Sequence, residues 1–151
     1  MTGVEIDFVV KDSLEALALY ERIFEVERIE VSGFAKGSNE AVFSIYGVRM
    51  HLLDENPDYQ LIAPQAGQPQ PMWLNIMVED IQATYDRAIA AGCTPVQPVN
   101  RMEEMGVSNA MFKDPFGYMW LLHQMHRVVS PEERVRILEE QFGSGDAQPR
   151  A

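Results

Sequence analysis

The side chains able to do chemistry in this 151-residue chain are few and fall at readable spacings. Carboxylate and imidazole groups competent to ligate a borderline divalent metal stand at Glu5, Asp7, His51 and His123. Strand alternation places Asp7 on the same face as Glu5, Asn75 with Trp73, and His123 with Leu121. Arg49 and His51 are the partners a buried Glu5 would need, since a lone buried carboxylate is costly. Trp73 can stack on a flat ligand, attract a cationic one, or simply fill space. Cys93 follows Gly92 with no histidine or basic neighbour and reads as a small buried residue, not a nucleophile. No glycine-rich phosphate loop, Gly-x-Ser-x-Gly elbow, His-Glu-x-x-His or paired-cysteine motif occurs.

The elements that must position these groups follow from periodicity. Residues Gly3 to Val10 alternate as a strand, and Asp12 with Glu15 has capping-box spacing before a helical stripe of Leu14, Leu17, Ala18, Tyr20, Ile23 and Phe24. Strands are predicted from Glu27 to Phe34, Glu40 to Tyr46 and Val48 to Asp54. Residues 55–71 hold four of the chain's nine prolines, with Gly67, among glutamines, and read as a linker or lid. The order then restarts: strand Met72 to Val78, helix Asp80 to Ala91 ended by Gly92, and strands Thr94 to Arg101, Ser108 to Lys113 and Tyr118 to Met125. Ser130-Pro131-Glu132-Glu133 is a second capping box, opening a helix over 130–142 that carries Val135, Leu138 and Phe142. The tail 144–151 is expected to be disordered.

Composition narrows the function. Twenty-three acidic against 12 basic residues give a formal charge of −11, which repels phosphate backbones and argues against nucleic-acid binding. The acidic excess serves solubility and would also steer a cationic small molecule. No apolar run is long enough to span a membrane, and a single cysteine excludes an internal disulfide, so a cytoplasmic location is expected. Seven of the nine methionines (Met50, Met72, Met77, Met102, Met105, Met111 and Met119) fall in or beside predicted strands, as core or as an adaptable cavity lining.

The two halves echo each other. Val10-Lys11-Asp12 matches Val78-Glu79-Asp80 at an offset of 68, and Tyr46-Gly47 matches Phe116-Gly117 at an offset of 70. Met50-His51-Leu52-Leu53 then stands against Trp120-Leu121-Leu122-His123. A duplicated βαβββ unit implies two modules, residues 3–54 and 72–126, curved as a barrel-like mixed sheet around one cavity. Trp120, of opposite parity to Leu121, would then pack under a helix, and Trp73 would face inward. Residues 1–143 form one domain on this reading.

Asp114-Pro115-Phe116-Gly117-Tyr118-Met119-Trp120 resembles the Asp-Pro-x-Gly hairpin before the last strand of the glyoxalase/bleomycin-resistance, or vicinal oxygen chelate, superfamily. The Val-x-Asp strand ends before amphipathic helices match the same superfamily, and the hairpin with the Ser130-Pro131 helix most resembles its PhnB-like branch. The turn Met102-Glu103-Glu104-Met105-Gly106 departs from the aromatic, glycine and acidic motif usual there.

That resemblance implies a metal held by four residues, one on the first and one on the last strand of each half. Counting seven residues before Asp12 and Asp80 gives Glu5 and Trp73, and four after Gly47 and Gly117 gives His51 and Leu121. Glu5 and His51 can ligate, whereas an indole and an isobutyl group cannot, and His123 is the third donor only in a set shifted by one pleat. The expectation is therefore a binding protein that needs no cofactor and holds a small organic ligand against Glu5, Asp7, Arg49, His51, Trp73, Asn75 and Leu121. The resemblance further implies a homodimer, with a cationic and partly flat molecule as a concrete ligand. Two rivals stand: a divalent-metal lyase, isomerase or dioxygenase with the shifted ligand set, and a dimerising partner without a ligand.

Overall fold

The computed structural model describes residues 2–143. The first module runs β1 (Ile6–Val10), α1 (Ser13–Ile23), β2 (Val26–Val31), β3 (Glu40–Ile45) and β4 (Val48–Asp54). The second repeats this order as β5 (Leu74–Met77), α2 (Ile81–Ala90), β6 (Thr94–Met102), β7 (Val107–Lys113) and β8 (Met119–Met125), and α3 (Pro131–Phe142) follows. Each module makes a four-stranded mixed sheet, ordered β1-β4-β3-β2 and β5-β8-β7-β6, with only the β1–β4 and β5–β8 pairs parallel. The architecture is α+β. No strand of one sheet pairs with a strand of the other among the described residues, so the strands do not close into a barrel within one chain.

Local chemistry accounts for the elements. Asp12 caps α1 by accepting from the N–H groups of Leu14 and Glu15 at 3.1 and 3.0 Å, and Asp80 caps α2 through Ala83 at 3.0 Å. Ser130 caps α3 through Glu133 at 3.1 Å, with Pro131 at the first helical position. Strand β1 begins at Ile6, the first residue paired with β4 (opposite Met50), rather than at Gly3. Strand β2 ends at Val31, after a register shift between Arg28 and Glu30, instead of running to Phe34. Within 55–71 a single turn of 3₁₀ helix, Pro57–Tyr59, is closed by a bridge between Asn56 and Leu61. The tail expected to be disordered lies outside the described residues.

Alternation sorts each sheet into a helix-covered face and an open face. Phe8, Val10, Phe43, Met50 and Leu52 of the first module, with Ala110, Phe112, Trp120 and Leu122 of the second, are buried with Leu17, Tyr20 and Ile23 of α1. Both modules contribute to one core. Trp120 is 0% exposed, with its ring 5.0 Å from Tyr20 and from Phe24, as its parity predicted. Each such buried aromatic stabilises the fold by about 1.5–3 kcal/mol through area removed from water.

The polar clasp of this core is Asp114, at the start of the Asp-Pro-Phe-Gly hairpin. Its Oδ1 accepts from the N–H groups of Phe116 and Tyr118 at 2.9 and 3.0 Å. Its Oδ2 accepts from the Tyr20 hydroxyl of the other module at 2.6 Å and the Trp120 indole at 2.8 Å. Burial raises the Asp114 carboxyl above its usual range, although these four donors oppose the shift. The hairpin is held against the linker as well: Gly117 has φ +98°, and a Cβ there would lie 2.7 Å from the Pro64 ring.

Candidate functional site

The open face of the first module gathers its ionisable groups around His51. Glu5 stands one residue before β1, and the strand register sets Asp7 opposite His51 on β4. His51 Nδ1 lies 3.1 Å from Glu5 Oε1 and 3.7 Å from Asp7 Oδ1, while Nε2 lies 3.1 Å from Glu40 Oε2. Arg49, two residues earlier on the same face, donates from Nε to Glu5 Oε2. That guanidinium, aided by His51, holds the Glu5 carboxyl below its ordinary range. Half-buried Glu5 is thus the paired carboxylate expected for its position.

The open face of the second module is built differently on the same frame. Trp73 stands one residue before β5, as Glu5 does before β1, and is 57% exposed. Asn75 sits opposite Leu121 in the β5–β8 register, and its Oδ1 lies 3.3 Å from His123 Nδ1. Met111 and Met119 flank Leu121 on this face, and Met77 and Met125 are more than half exposed. Of the seven methionines singled out above, only Met50 belongs to the buried core. Cys93 is buried, and its thiol is pushed up to about 12 by burial, which removes it as a nucleophile.

Glu5, Asp7, Arg49 and His51 therefore form one cluster, whereas Asn75, Leu121 and His123 form another on the second sheet. Trp73 and Asn75 line an apolar pocket of about 250 Å³ at the module junction, walled from the first module by Ile6, Tyr46, Val48 and Met50. Glu40 is the residue missed from sequence. It sits at the start of β3, diagonal to His51 across the β3–β4 ladder, and only the register brings the two together.

Glu5, Asp7 and His51 bring one donor atom each to within 4.8 Å of one another, close enough to surround a small divalent ion. His123 is not part of that group. The repeat-related positions Trp73 and Leu121 offer no donor, and the Arg49 guanidinium on Glu5 opposes a second cation there. Two of the four repeat-related positions, Glu5 and His51, thus carry donors, and the other two do not fit a metal.

Comparison with known proteins places this geometry. The model of the Glyoxalase/Bleomycin resistance protein/Dioxygenase superfamily matches residues 4–122. The uncharacterized protein Mb0911c of Mycobacterium bovis is 30% identical over 129 residues, covering 83% of this chain and 84% of its own. The uncharacterized protein Rv0887c of Mycobacterium tuberculosis is equally similar, with 75% of its length covered. Among solved structures, TioX from Micromonospora sp. ML1 superposes with a TM-score of 0.63 at 18% identity, covering 84% of this chain and 100% of that one. The fosfomycin resistance protein FosX from Listeria monocytogenes, complexed with Mn(II) and sulfate, gives 0.65 at 19% identity, covering 91% and 98%. At those identities the structures share the fold alone. With two βαβββ modules, the Asp-Pro-Phe-Gly hairpin and a family match spanning both halves, the chain belongs to the glyoxalase/bleomycin resistance protein/dioxygenase superfamily.

Proposed function

We propose that this protein binds a small organic ligand without a metal, between the acidic open face of a first module and the methionine-lined open face of a second. One observation carries the reading. The four equivalent positions hold Glu5 and His51 in one half but Trp73 and Leu121 in the other. A carboxylate-rich wall with an exposed indole suits a cationic, partly flat molecule, through charge and cation–π attraction. Methionine side chains adapt to the rest of such a ligand.

The ligand would touch Glu5, Asp7, Arg49, His51, Trp73, Asn75 and Leu121. Trp73 and Met77 leave apolar surface uncovered in one chain, which supports a homodimer whose second copy completes the cavity. The hairpin and the Ser130-capped α3 are the features that support membership of the PhnB-like branch on this reading. Among the described residues no helix is long and apolar enough to cross a membrane, and the buried single cysteine suits a reducing cytoplasm.

The rival is a metal-dependent lyase, isomerase or dioxygenase. It is favoured by the cluster of Glu5, Asp7 and His51, which would hold the ion, and by the Mn(II) complex of the Listeria monocytogenes protein. A bound metal would polarise vicinal oxygens of a substrate. Chelator-washed protein re-titrated with zinc, nickel, manganese and iron tests the choice. Metal at background, together with stabilisation by cationic aromatic compounds in a thermal-shift screen, is the expected result. Near-stoichiometric metal that is lost in His51→Ala would overturn it.

A further inference from the structure

A larger pocket of about 410 Å³ opens where the linker meets the Asp-Pro-Phe-Gly hairpin, at the end of the second sheet where Lys113 stands opposite Met119. It is walled by Pro64 to Gly67 of the linker, Asp114 to Gly117 of the hairpin, Thr94 at the start of β6, and two lysines, Lys11 and Lys113. The chain has only three lysines. The third, Lys36, pairs with Asp12 at 3.7 Å, whereas Lys11 and Lys113 make no ion pair among the described residues.

This is unexpected electrostatics for a protein of net charge −11, where any free ammonium has carboxylates in excess to choose from. The one carboxylate on the wall cannot neutralise them. Both oxygens of Asp114 are turned into the core and engaged by four donors: Phe116 and Tyr118 N–H, the Tyr20 hydroxyl and the Trp120 indole. The rest of the wall is apolar or neutral, with Pro64, Pro115 and Phe116 beside the hydroxyl of Thr94 and the amide of Gln65.

The wall is also held in place. Pro64 lies where a Cβ on Gly117 would be. The N–H of Ala63 donates to Glu55 at 2.8 Å, and the Gln65 side chain donates to the Ala63 carbonyl at 2.9 Å. The segment read from sequence as an irregular linker is thus one side of a formed concavity.

We propose that this pocket is a second site, which takes a small organic anion with an oxyanion head, phosphate or carboxylate, on an apolar body. The Lys11 and Lys113 ammonium groups hold the head through charge-assisted hydrogen bonds, and the prolines with Phe116 receive the body. The site shares no residue with the proposed cationic-ligand face, and its chemistry is of opposite sign. Each can therefore fail alone.

The test is a titration of the full chain with 1-naphthyl phosphate, followed by amide chemical shifts, with 1-naphthol and inorganic phosphate in parallel. Saturable shifts at Gly67, Thr94, Lys113, Phe116 and Gly117 are expected. In K11Q/K113Q, which removes the charges of exposed Lys11 and half-buried Lys113 while keeping most of each side chain, the affinity falls about tenfold. Stronger binding of the phosphate ester than of naphthol separates an anion site from a greasy one. Equal binding of naphthol, unchanged affinity in the double variant, shifts centred on His51 and Asn75, or no saturable shift at millimolar ligand would each overturn the proposal.

Discussion

The open faces of the two modules stand on the same frame and carry opposite chemistry. Behind them the repeat is kept: Val10 ends β1 and Val78 directly follows β5, Asp12 and Asp80 cap the helices, and Phe43 and Phe112, Met50 and Trp120, and Leu52 and Leu122 fill matching buried positions. In front, Glu5 is matched by Trp73, Asp7 by Asn75, Arg49 by Met119 and His51 by Leu121. The lesson is that packing constrains the covered face of each sheet at every position, because a change of one methylene is felt there. The open face is free of that packing constraint. A duplicated scaffold can thus present an acidic wall and a soft apolar one without altering its core.

The largest effect that would break this comparison lies in the shared core, not on either face. Asp114→Asn, with its one oxygen kept on the N–H groups of Phe116 and Tyr118, turns an NH2 that cannot accept toward the Trp120 indole and weakens the link from Tyr20. A loss of about 3 kcal/mol in urea-unfolding stability is expected. A loss under about 1 kcal/mol would show that the two modules are not clasped through this residue.

Next in size is a graft that makes the faces alike. Trp73→Glu with Leu121→His installs donors at both empty positions, and zinc or nickel content after chelator washing is expected to rise from background to near-stoichiometric. If the graft gains nothing, the two halves do not supply one site, and the superfamily's four-position set is the wrong frame for this chain.

A smaller change sharpens the role of the aromatic wall. Trp73→Ala should lower affinity for a cationic aromatic ligand about tenfold, while stability stays within about 0.5 kcal/mol because the ring is largely exposed. Thermal shift with and without ligand separates the two. Equal losses in both would make Trp73 a packing residue.

The smallest effect concerns pH. Burial would raise the Asp54 carboxyl, but N–H groups of Ser13, Asn39 and Gly37 at 2.7, 2.9 and 2.8 Å outweigh it and hold the group below its usual range. A depressed folded value contributes stability that is present at neutral pH and lost as the pH falls through it. Asp114, raised by burial, works in the other direction, since acidification relieves the cost of its charge. Urea midpoints between about pH 5 and about pH 2.5 should therefore fall less steeply in Asp54→Asn than in the native chain. An unchanged slope would mean that other carboxylates dominate acid unfolding.

Much of this fold was legible because its signals are local. Alternating residues marked all eight strands to within about three residues at each end, as boundary uncertainty allows. Caps at Asp12, Asp80 and Ser130 marked the helix starts, and the repeat with its Asp-Pro-Phe-Gly hairpin pointed to the superfamily. The parity of Trp120 was sufficient to bury it. The candidate site was legible only by face: alternation brought Glu5, Asp7, Arg49 and His51 to one side of a sheet.

What the chain alone could not determine depends on how separate segments meet. The contact of Glu40 with His51 needs the β3–β4 register, which no local pattern fixes. The exposure of most methionines, left open between core and lining, was decided by which face of each sheet the helices cover. The separation of the two sheets follows from a core common to both modules, in which Tyr20 reaches across to Asp114 and the open faces are left to solvent. The pocket holding Lys11 and Lys113 exists only because the linker folds onto the hairpin at Gly117. Periodicity and capping act over a few residues and can be read along the chain, whereas the pairing of distant side chains is set by packing that only the folded molecule contains.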